Sequence, residues 1–149
     1  MNFSDYVDQY NSGDHAALVE EFYTEDIVFE SGALKRVCRG RDEVTEFLLG
    51  MQSGVRETLR PQVVLQDENH ILAEADMDFY ALRDMPDYPL GALRESEHLT
   101  VKLFVSYYLR EGRICRIKTA LWPVNFCVSD PPANGRMASR GCFGNRRRP

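Results

Sequence analysis

The chain has 149 residues, of which 44% are hydrophobic and 28% charged, and its formal net charge at pH 7 is −5. This length and composition are typical of one globular domain. No stretch approaches the roughly 18 uninterrupted apolar residues of a membrane span, and the acidic N-terminus lacks the pattern of a secretory signal. We therefore expect a cytoplasmic protein with no membrane partner.

The charge is unevenly distributed. Five arginines and no acidic residue lie in the last 14 residues, so residues 1–135 carry all 23 acidic side chains against 13 basic ones. A strongly acidic body repels a phosphate backbone, which argues against DNA or RNA as the main ligand. The tail is too polar to bury an apolar surface, and we expect residues 131–149 to be disordered beyond a single domain at 1–130.

The first elements are predicted to be a helix, a tight turn and a helix. Phe3, Tyr6, Val7 and Tyr10 repeat at helical spacing, and residues 11–14 supply a glycine stop and an aspartate N-cap. Four residues of the second helix are expected to face the core, and His15 is expected on the surface of that helix. Those inward residues are Ala16, Leu18, Val19 and Phe22.

A short strand at 27–29 is predicted next, followed by a basic loop at 31–40 and a third helix. That helix starts at residues 40–42 and closes at Gly54, with Val44, Phe47, Leu48 and Met51 on one face. From residue 58 onward the apolar period changes to two, which predicts strands at about 59–67, 70–83, 96–110 and 113–122. Three helices followed by a strongly curved antiparallel sheet form an α+β fold, a cone-shaped barrel.

Alternation along these strands divides the side chains between two faces of the sheet. The apolar positions are expected to face inward, whereas Glu74, Asp76 and Asp78 are expected on the hydrated outer face near Lys102, since burying unpaired acids is costly. The expected inward residues are Ala73, Ala75, Met77, Phe79, Ala81, Leu99, Val101, Leu103, Val105, Tyr107, Cys115, Ile117, Thr119 and Leu121.

Several short motifs, in order and spacing, resemble the nuclear transport factor 2-like superfamily. They are Tyr6-Val7, residues 11–14, Leu18, Phe22, Tyr23, Asp26, Phe29, Gly40, Val44, Phe47 and residues 112–114. The resemblance covers about residues 3–123 and includes ketosteroid isomerase, limonene epoxide hydrolase, scytalone dehydratase and the SnoaL-like polyketide cyclases. It implies a bent sheet wrapped around a long helix with a deep, mostly apolar pocket between them. It does not by itself imply a reaction, because this fold hosts enzymes and binding modules alike.

The catalytic residues of these relatives transfer only in part. The resemblance places Tyr6 at the hydrogen-bonding tyrosine of ketosteroid isomerase, but that enzyme's two carboxylates fall on Ser31 and near Val105. The Asp-Arg-Asp set of limonene epoxide hydrolase corresponds to Ala75, Met77 and Thr119. The histidines on which scytalone dehydratase relies have no inward counterpart, which disfavours dehydration of that type.

Other residues are candidates for the missing proton transfer. Glu30 would serve as a general base if a small bulge after Phe29 turned it inward; otherwise it is an outward acid paired with a basic residue. Arg36, and less readily Arg39, would hold an oxygen at the cavity rim unless solvated there. Tyr107 is either a catalytic hydroxyl or a core residue. Lid candidates, or ordinary turn acids, are Asp87-Tyr88 and Asp130.

The leading interpretation is a cofactor-independent isomerase or cyclase acting by acid/base catalysis on a hydrophobic polycyclic natural-product intermediate. The candidate catalytic residues are Tyr6, Glu30, Arg36 and Tyr107. The candidate substrate-binding residues are Phe29, Ser31, Met77, Phe79, Ile117, Thr119, Leu121 and Trp122. The alternatives are a non-catalytic small-molecule binder and a dimerisation module. No zinc, redox or nucleotide motif indicates a metal or cofactor, and the resemblance implies a homodimer paired through the outer sheet face.

Overall fold

A computed structural model of the protein describes residues 1–122, which form three helices and six strands, one strand more than predicted. The helices are α1 (Phe3–Ser12), α2 (His15–Phe22) and α3 (Gly40–Met51). The strands are β1 (Tyr23–Ser31), β2 (Arg36–Arg39), β3 (Val55–Gln66), β4 (His70–Ala81), β5 (His98–Arg110) and β6 (Arg113–Leu121). No helix of the described part is both long and apolar enough to cross a membrane.

The turn between α1 and α2 follows the sequence closely. Gly13 has a φ of 81°, in the left-handed region that glycine tolerates, and its N–H donates to the Tyr10 carbonyl. The Asp14 side chain accepts from the Ala17 N–H and caps α2. Two residues were misplaced: His15 is buried and Ala16 is exposed, so the expected orientation of these two side chains was wrong.

The strands form a single six-stranded sheet in the order β2-β1-β6-β5-β4-β3, which confirms the α+β fold. The sheet is mixed rather than wholly antiparallel, because β1 pairs with β6 in parallel and every other pair is antiparallel. It is an open sheet with β2 and β3 at its edges. The predicted loop at 31–40 contains β2, a four-residue strand too short and too basic to show in the apolar pattern.

Alternation in the long strands is confirmed. In β4 the residues from Ala73 to Ala81 alternate between buried and half-buried positions, and in β5 the residues from Leu99 to Tyr107 alternate between buried and exposed or half-buried ones. The acids of β4 face outward, where Lys102 Nζ lies 3.0 Å from an Asp76 oxygen and Arg60 pairs with Asp78.

A register shift between Tyr108 and Leu109 changes the parity at the start of β6. Ile114 therefore takes the fully buried position that was expected for Cys115, and Cys115 is only half-buried. Parity is restored at Ile117, which is buried as expected. The predicted single domain remains a prediction, and the expected tail and the lid candidate Asp130 lie outside the described residues.

Candidate functional site

A mostly apolar cavity of about 120 Å³ lies between the concave face of the sheet and the helices. Its walls come from all of the long strands, from α1 and α3, and from the connection between β4 and β5. The lining residues are Tyr6, Tyr10, Tyr23, Phe29, Ser31, Leu34, Phe47, Leu48, Met51, Glu57, Leu59, Met77, Phe79, Leu90, Val101, Leu103, Val105, Tyr107, Ile117, Thr119 and Leu121. This location agrees with the pocket that the resemblance implies.

Four tyrosines form a packed cluster in the wall of the cavity. The hydroxyls of Tyr6 and Tyr23 are 3.0 Å apart and share a hydrogen bond. The ring centroid of Tyr6 lies 5.3 Å from that of Tyr107 and 6.3 Å from that of Tyr10. Burial, as the largest cause, raises the pKa of each of these four phenols, so all of them stay protonated near neutral pH. The cluster therefore presents hydrogen-bond donors to the cavity.

Glu57 is the one carboxylic acid among the lining residues. It lies on β3 between the buried Val55 and Leu59, is only 6% exposed, and accepts a hydrogen bond of 2.6 Å from the Tyr10 hydroxyl. Burial raises its pKa to about 7, while the hydrogen bond from Tyr10 and the side chain of Gln52 act in the opposite direction. A carboxyl group with such a pKa exchanges protons at neutral pH, as a general base or acid must.

His15 packs against Tyr10 and is not among the residues that line the cavity. Its ring centroid is 5.0 Å from that of Tyr10 at an interplanar angle of 61°. Burial lowers its pKa, so the imidazole is neutral at neutral pH. Neither ring nitrogen has a hydrogen-bond partner among the described residues.

Most of the predicted site residues line the cavity. Tyr6 and Tyr107 belong to the tyrosine cluster, and the predicted wall residues that lie where expected are Phe29, Ser31, Met77, Phe79, Ile117, Thr119 and Leu121. Ser31 and Thr119 are register partners in the parallel β1–β6 pair, which brings their hydroxyls to one part of the wall. Their roles in binding or catalysis remain predictions.

The inward orientation considered for Glu30 was wrong. The pairing of β1 with β6 runs without a shift from Phe29 to Ser31, so no bulge turns the side chain. Glu30 points to the outer face and pairs with Arg116, whose hydrogen bond is the main cause of its lowered pKa. This is the paired, outward alternative that its strand position also allowed.

Two further candidates lie off the cavity wall. Arg36 is exposed on β2, in a shallow adjoining groove with Glu46 and Pro89, and not among the lining residues. Trp122 is 60% exposed and packs against Phe104 on the outer face of the sheet, so its assignment to the wall was wrong.

Of the remaining rim and lid candidates, two are exposed and one is buried. Arg39 is exposed at the end of β2, and Asp87 is exposed in the connection between β4 and β5. Tyr88 instead is buried, with its ring centroid 5.7 Å from that of Phe79.

Glu57, Tyr10 and Tyr23 line the cavity but were not predicted as site residues. The signal for Glu57 was present, because Val55, Glu57 and Leu59 occupy every second position of β3. The predicted strand began at residue 59, however, and so left out the first four residues of β3. Tyr10 was recognised only as a helix core residue. Among residues 1–122, no group of three or more His, Cys, Asp or Glu side chains is placed to hold a metal ion.

Comparisons with known proteins agree with this architecture. The family model described as a SnoaL-like domain matches residues 3–117. No curated protein is significantly similar to the chain.

Among solved structures, a proposed polyketide cyclase from Silicibacter sp. TM1040 is 18% identical with a TM-score of 0.67, covering 81% of this chain and 86% of its own. One from Pseudomonas putida KT2440 is 21% identical with a TM-score of 0.66, covering 81% and 88%. One from Xanthomonas campestris is 22% identical with a TM-score of 0.64, covering 76% and 82%. At these identities the structures show a shared fold.

Proposed function

The chain belongs to the SnoaL-like domain family, and on that premise we propose that it is an isomerase or cyclase that moves a proton on a hydrophobic small molecule held in the cavity. The observation that carries the proposal is the buried Glu57–Tyr10 pair in an otherwise apolar pocket. In this mechanism Glu57 is the general base, and the tyrosine cluster stabilises the oxygen on which negative charge develops.

Glu57 has the properties that proton abstraction beside a carbonyl requires. Its pKa of about 7 leaves a substantial fraction as carboxylate at neutral pH, while the apolar surroundings make that carboxylate a stronger base than one in water. The Tyr10 hydroxyl donates to Oε2 and fixes the orientation of the carboxyl group. Tyr10 does not bond the other oxygen, Oε1, and we assign that oxygen to the substrate proton.

The oxygen of the substrate would lie against the hydroxyls of the tyrosine cluster. In the Tyr6–Tyr23 pair one hydroxyl donates to the other, which leaves the second proton free for a substrate carbonyl. Tyr107 packs beside Tyr6 and supplies another hydroxyl. Donors held in place before the reaction stabilise an enolate oxygen more than the ground-state carbonyl, which is how such a site accelerates proton transfer.

The non-catalytic binder is the competing function, and it was motivated by the loss of the relatives' acids at Ser31, Val105, Ala75 and Met77. Glu57 weakens the case for a binder, because it places a carboxylate in the cavity from a different strand. A binder of apolar ligands has no need of a buried acid, whose desolvation costs several kcal/mol when it ionises.

The experiment that tests the proposal measures exchange of the methyl protons of para-hydroxyacetophenone in D₂O by NMR. The wild-type protein is expected to catalyse exchange, and Glu57→Gln to slow it by about a hundredfold or more, the usual contribution of a general base. Tyr6→Phe is expected to reduce the rate by a smaller factor, because Tyr23 and Tyr107 remain.

Glu74→Gln is the matched control, since Glu74 is a half-buried acid on the outer sheet face near Lys102 and outside the cavity lining. It should exchange at the wild-type rate. A wild-type protein that binds the ketone without exchange above the buffer rate would favour the binder. Equal loss in the Glu74 and Glu57 variants would show a general effect of removing an acid.

We also propose that the protein is a homodimer paired through the outer face of the sheet. Support comes from exposed apolar side chains on that face, which a monomer leaves in water. These residues are Val63, Leu65, Leu72, Phe104 and Trp122. The polycyclic natural-product substrate expected from the sequence remains a proposal as well, and the dimensions of the cavity bear on it directly.

A further inference from the structure

The volume of the cavity limits what it encloses. The tyrosine cluster and the aromatic wall residues Phe29 and Phe79 occupy much of the cone and leave about 120 Å³. An apolar cavity of about 150 Å³ is known to hold a benzene molecule, whereas pockets for drug-sized ligands run to roughly 300–1,000 Å³. The cavity therefore matches one ring with short substituents, and a fused system of three or four rings exceeds it.

The charges of the wall limit the ligand further. Glu57 is the only acid among the lining residues, and none of them is Lys, Arg or His. A ligand carboxylate or phosphate would lose its hydration without gaining a cation, and it would repel Glu57 whenever that side chain is ionised. Arg36, the cation expected at the cavity rim, lies in the adjoining groove and outside the wall. The cavity thus favours an uncharged ligand.

The wall carries hydroxyls in two places. The first is the tyrosine cluster with Glu57, and the second is the Ser31–Thr119 pair. Thr119 Oγ1 donates to the Glu30 carbonyl, and Ser31 Oγ accepts from the Leu34 N–H, so the Ser31 proton is free to donate into the cavity.

The backbone positions that carry the two polar regions are separated along the sheet. Tyr107 pairs with Ile117 across β5 and β6, and Thr119 lies two residues further along β6. Two residues of a strand span about 7 Å, so the two regions start from backbone positions about one substituted six-membered ring apart.

From these three observations we propose that the cavity binds an uncharged single-ring compound with an oxygen function at each end. One oxygen, a carbonyl, lies at the tyrosine cluster, and the other, a hydroxyl or ether, accepts from Ser31. The choice of a carbonyl at the first position rests on the proposed proton transfer, whereas the size, the neutrality and the second oxygen rest on the cavity alone. A polycyclic substrate of the kind expected from the sequence would have to extend beyond this cavity.

The test is a series of binding measurements by isothermal titration calorimetry on the full chain, which needs no fluorescent residue in the cavity wall. We expect para-hydroxyacetophenone to bind at least tenfold more tightly than para-hydroxybenzoate, which has the same ring and a charge. It should also bind at least tenfold more tightly than a hydroxylated naphthyl methyl ketone or a four-ring steroid ketone.

Two variants separate size from polarity. Met51→Ala at the half-buried wall of the cavity should bring the naphthyl ketone within about threefold of the single-ring ketone, whereas Leu72→Ala on the outer face should change nothing. Ser31→Ala should weaken para-hydroxyacetophenone about three- to tenfold, the value of one hydrogen bond, and leave acetophenone itself unchanged.

The outcomes distinguish this inference from the proposed function. Tighter binding of the steroid ketone or of para-hydroxybenzoate would overturn the inference, and Glu57-dependent proton exchange would still stand. Binding of the neutral single-ring ketone without any exchange would support the inference and overturn the proposed function. An equal effect of Ser31→Ala on both acetophenones would remove the second oxygen from the proposal.

Discussion

At the scale of single residues, the site depends on a carboxyl group that is costly to ionise. Glu57 is almost fully buried, and its only short hydrogen bond comes from Tyr10. The same burial that raises its pKa to about 7 makes the folded protein less stable whenever the group is charged. Stability and activity should therefore depend on pH in opposite directions.

The first prediction concerns that stability. The folded pKa of Glu57 exceeds its ordinary value of 4.5, so its favourable contribution is complete below about pH 4.5 and is lost as the pH rises through about 7. The full loss amounts to about 3 kcal/mol, from 1.36 kcal/mol per pKa unit. Urea denaturation at pH 5 and pH 8 should show most of this loss of unfolding free energy in the wild type, and Glu57→Gln should not show it.

The wild type must be compared with Glu57→Gln because His15 also contributes to the pH dependence of the stability. Its pKa is lowered by burial, so its own contribution to stability increases as the pH rises. That contribution is common to both proteins and cancels in their difference. Parallel pH profiles for the wild type and Glu57→Gln would contradict the assignment of the raised pKa to Glu57.

Single residues also show what could be predicted from the sequence and what could not. Alternation correctly placed Met77 and Phe79 on the inner face and the acids of β4 on the outer face, since a period of two needs no tertiary information. It could not show that Tyr10 and Glu57, 47 positions apart, lie within hydrogen-bond distance, because that contact depends on how α1 packs on β3.

At the scale of elements, the local sequence determined most helix boundaries and fewer strand boundaries. The cap residues Asn2, Gly13 and Asp14 act within one turn, so they are readable from the chain itself. β2 forms by pairing with β1, and a register shift against β5 sets which residues of β6 face inward. Both features depend on a neighbouring strand.

Two glycines test the role of local conformation. Gly13 has a positive φ, so Gly13→Ala should cost about 1 kcal/mol although no atom lies within 4 Å of the new methyl group. Gly50 lies in α3 with equally open surroundings, and Gly50→Ala should stabilise by about 0.5 kcal/mol because alanine is the better helix former. Urea midpoints of the two variants should move in opposite directions; a shift of both in one direction would contradict the argument.

At the scale of the whole molecule, the two faces of the sheet serve different purposes. The concave face and the helices enclose the cavity, while the outer face combines the paired acids of β4 with an exposed apolar region. The resemblance implied pairing through that face, and its apolar composition is consistent with burial against a second copy.

The proposed dimer leads to a prediction for solution measurements. Phe104→Asp, in the centre of the exposed apolar region, should convert a sedimenting dimer to a monomer, since it would place an unpaired charge in the interface. Leu49→Asp is the matched control: Leu49 is similarly exposed, on α3, and should leave the dimer intact. A wild-type protein that sediments as a monomer at micromolar concentration would contradict the proposal.

The position of β6 has a consequence for how the chain is completed during synthesis. β6 lies between β1 and β5, and among the strands of residues 1–122 it alone joins the β1–β2 hairpin to the rest of the sheet. A ribosome releases that hairpin some eighty residues before its neighbour exists. Until Arg113–Leu121 emerges, the nascent chain holds two separate pieces with unsatisfied edges, which a chaperone would be expected to cover.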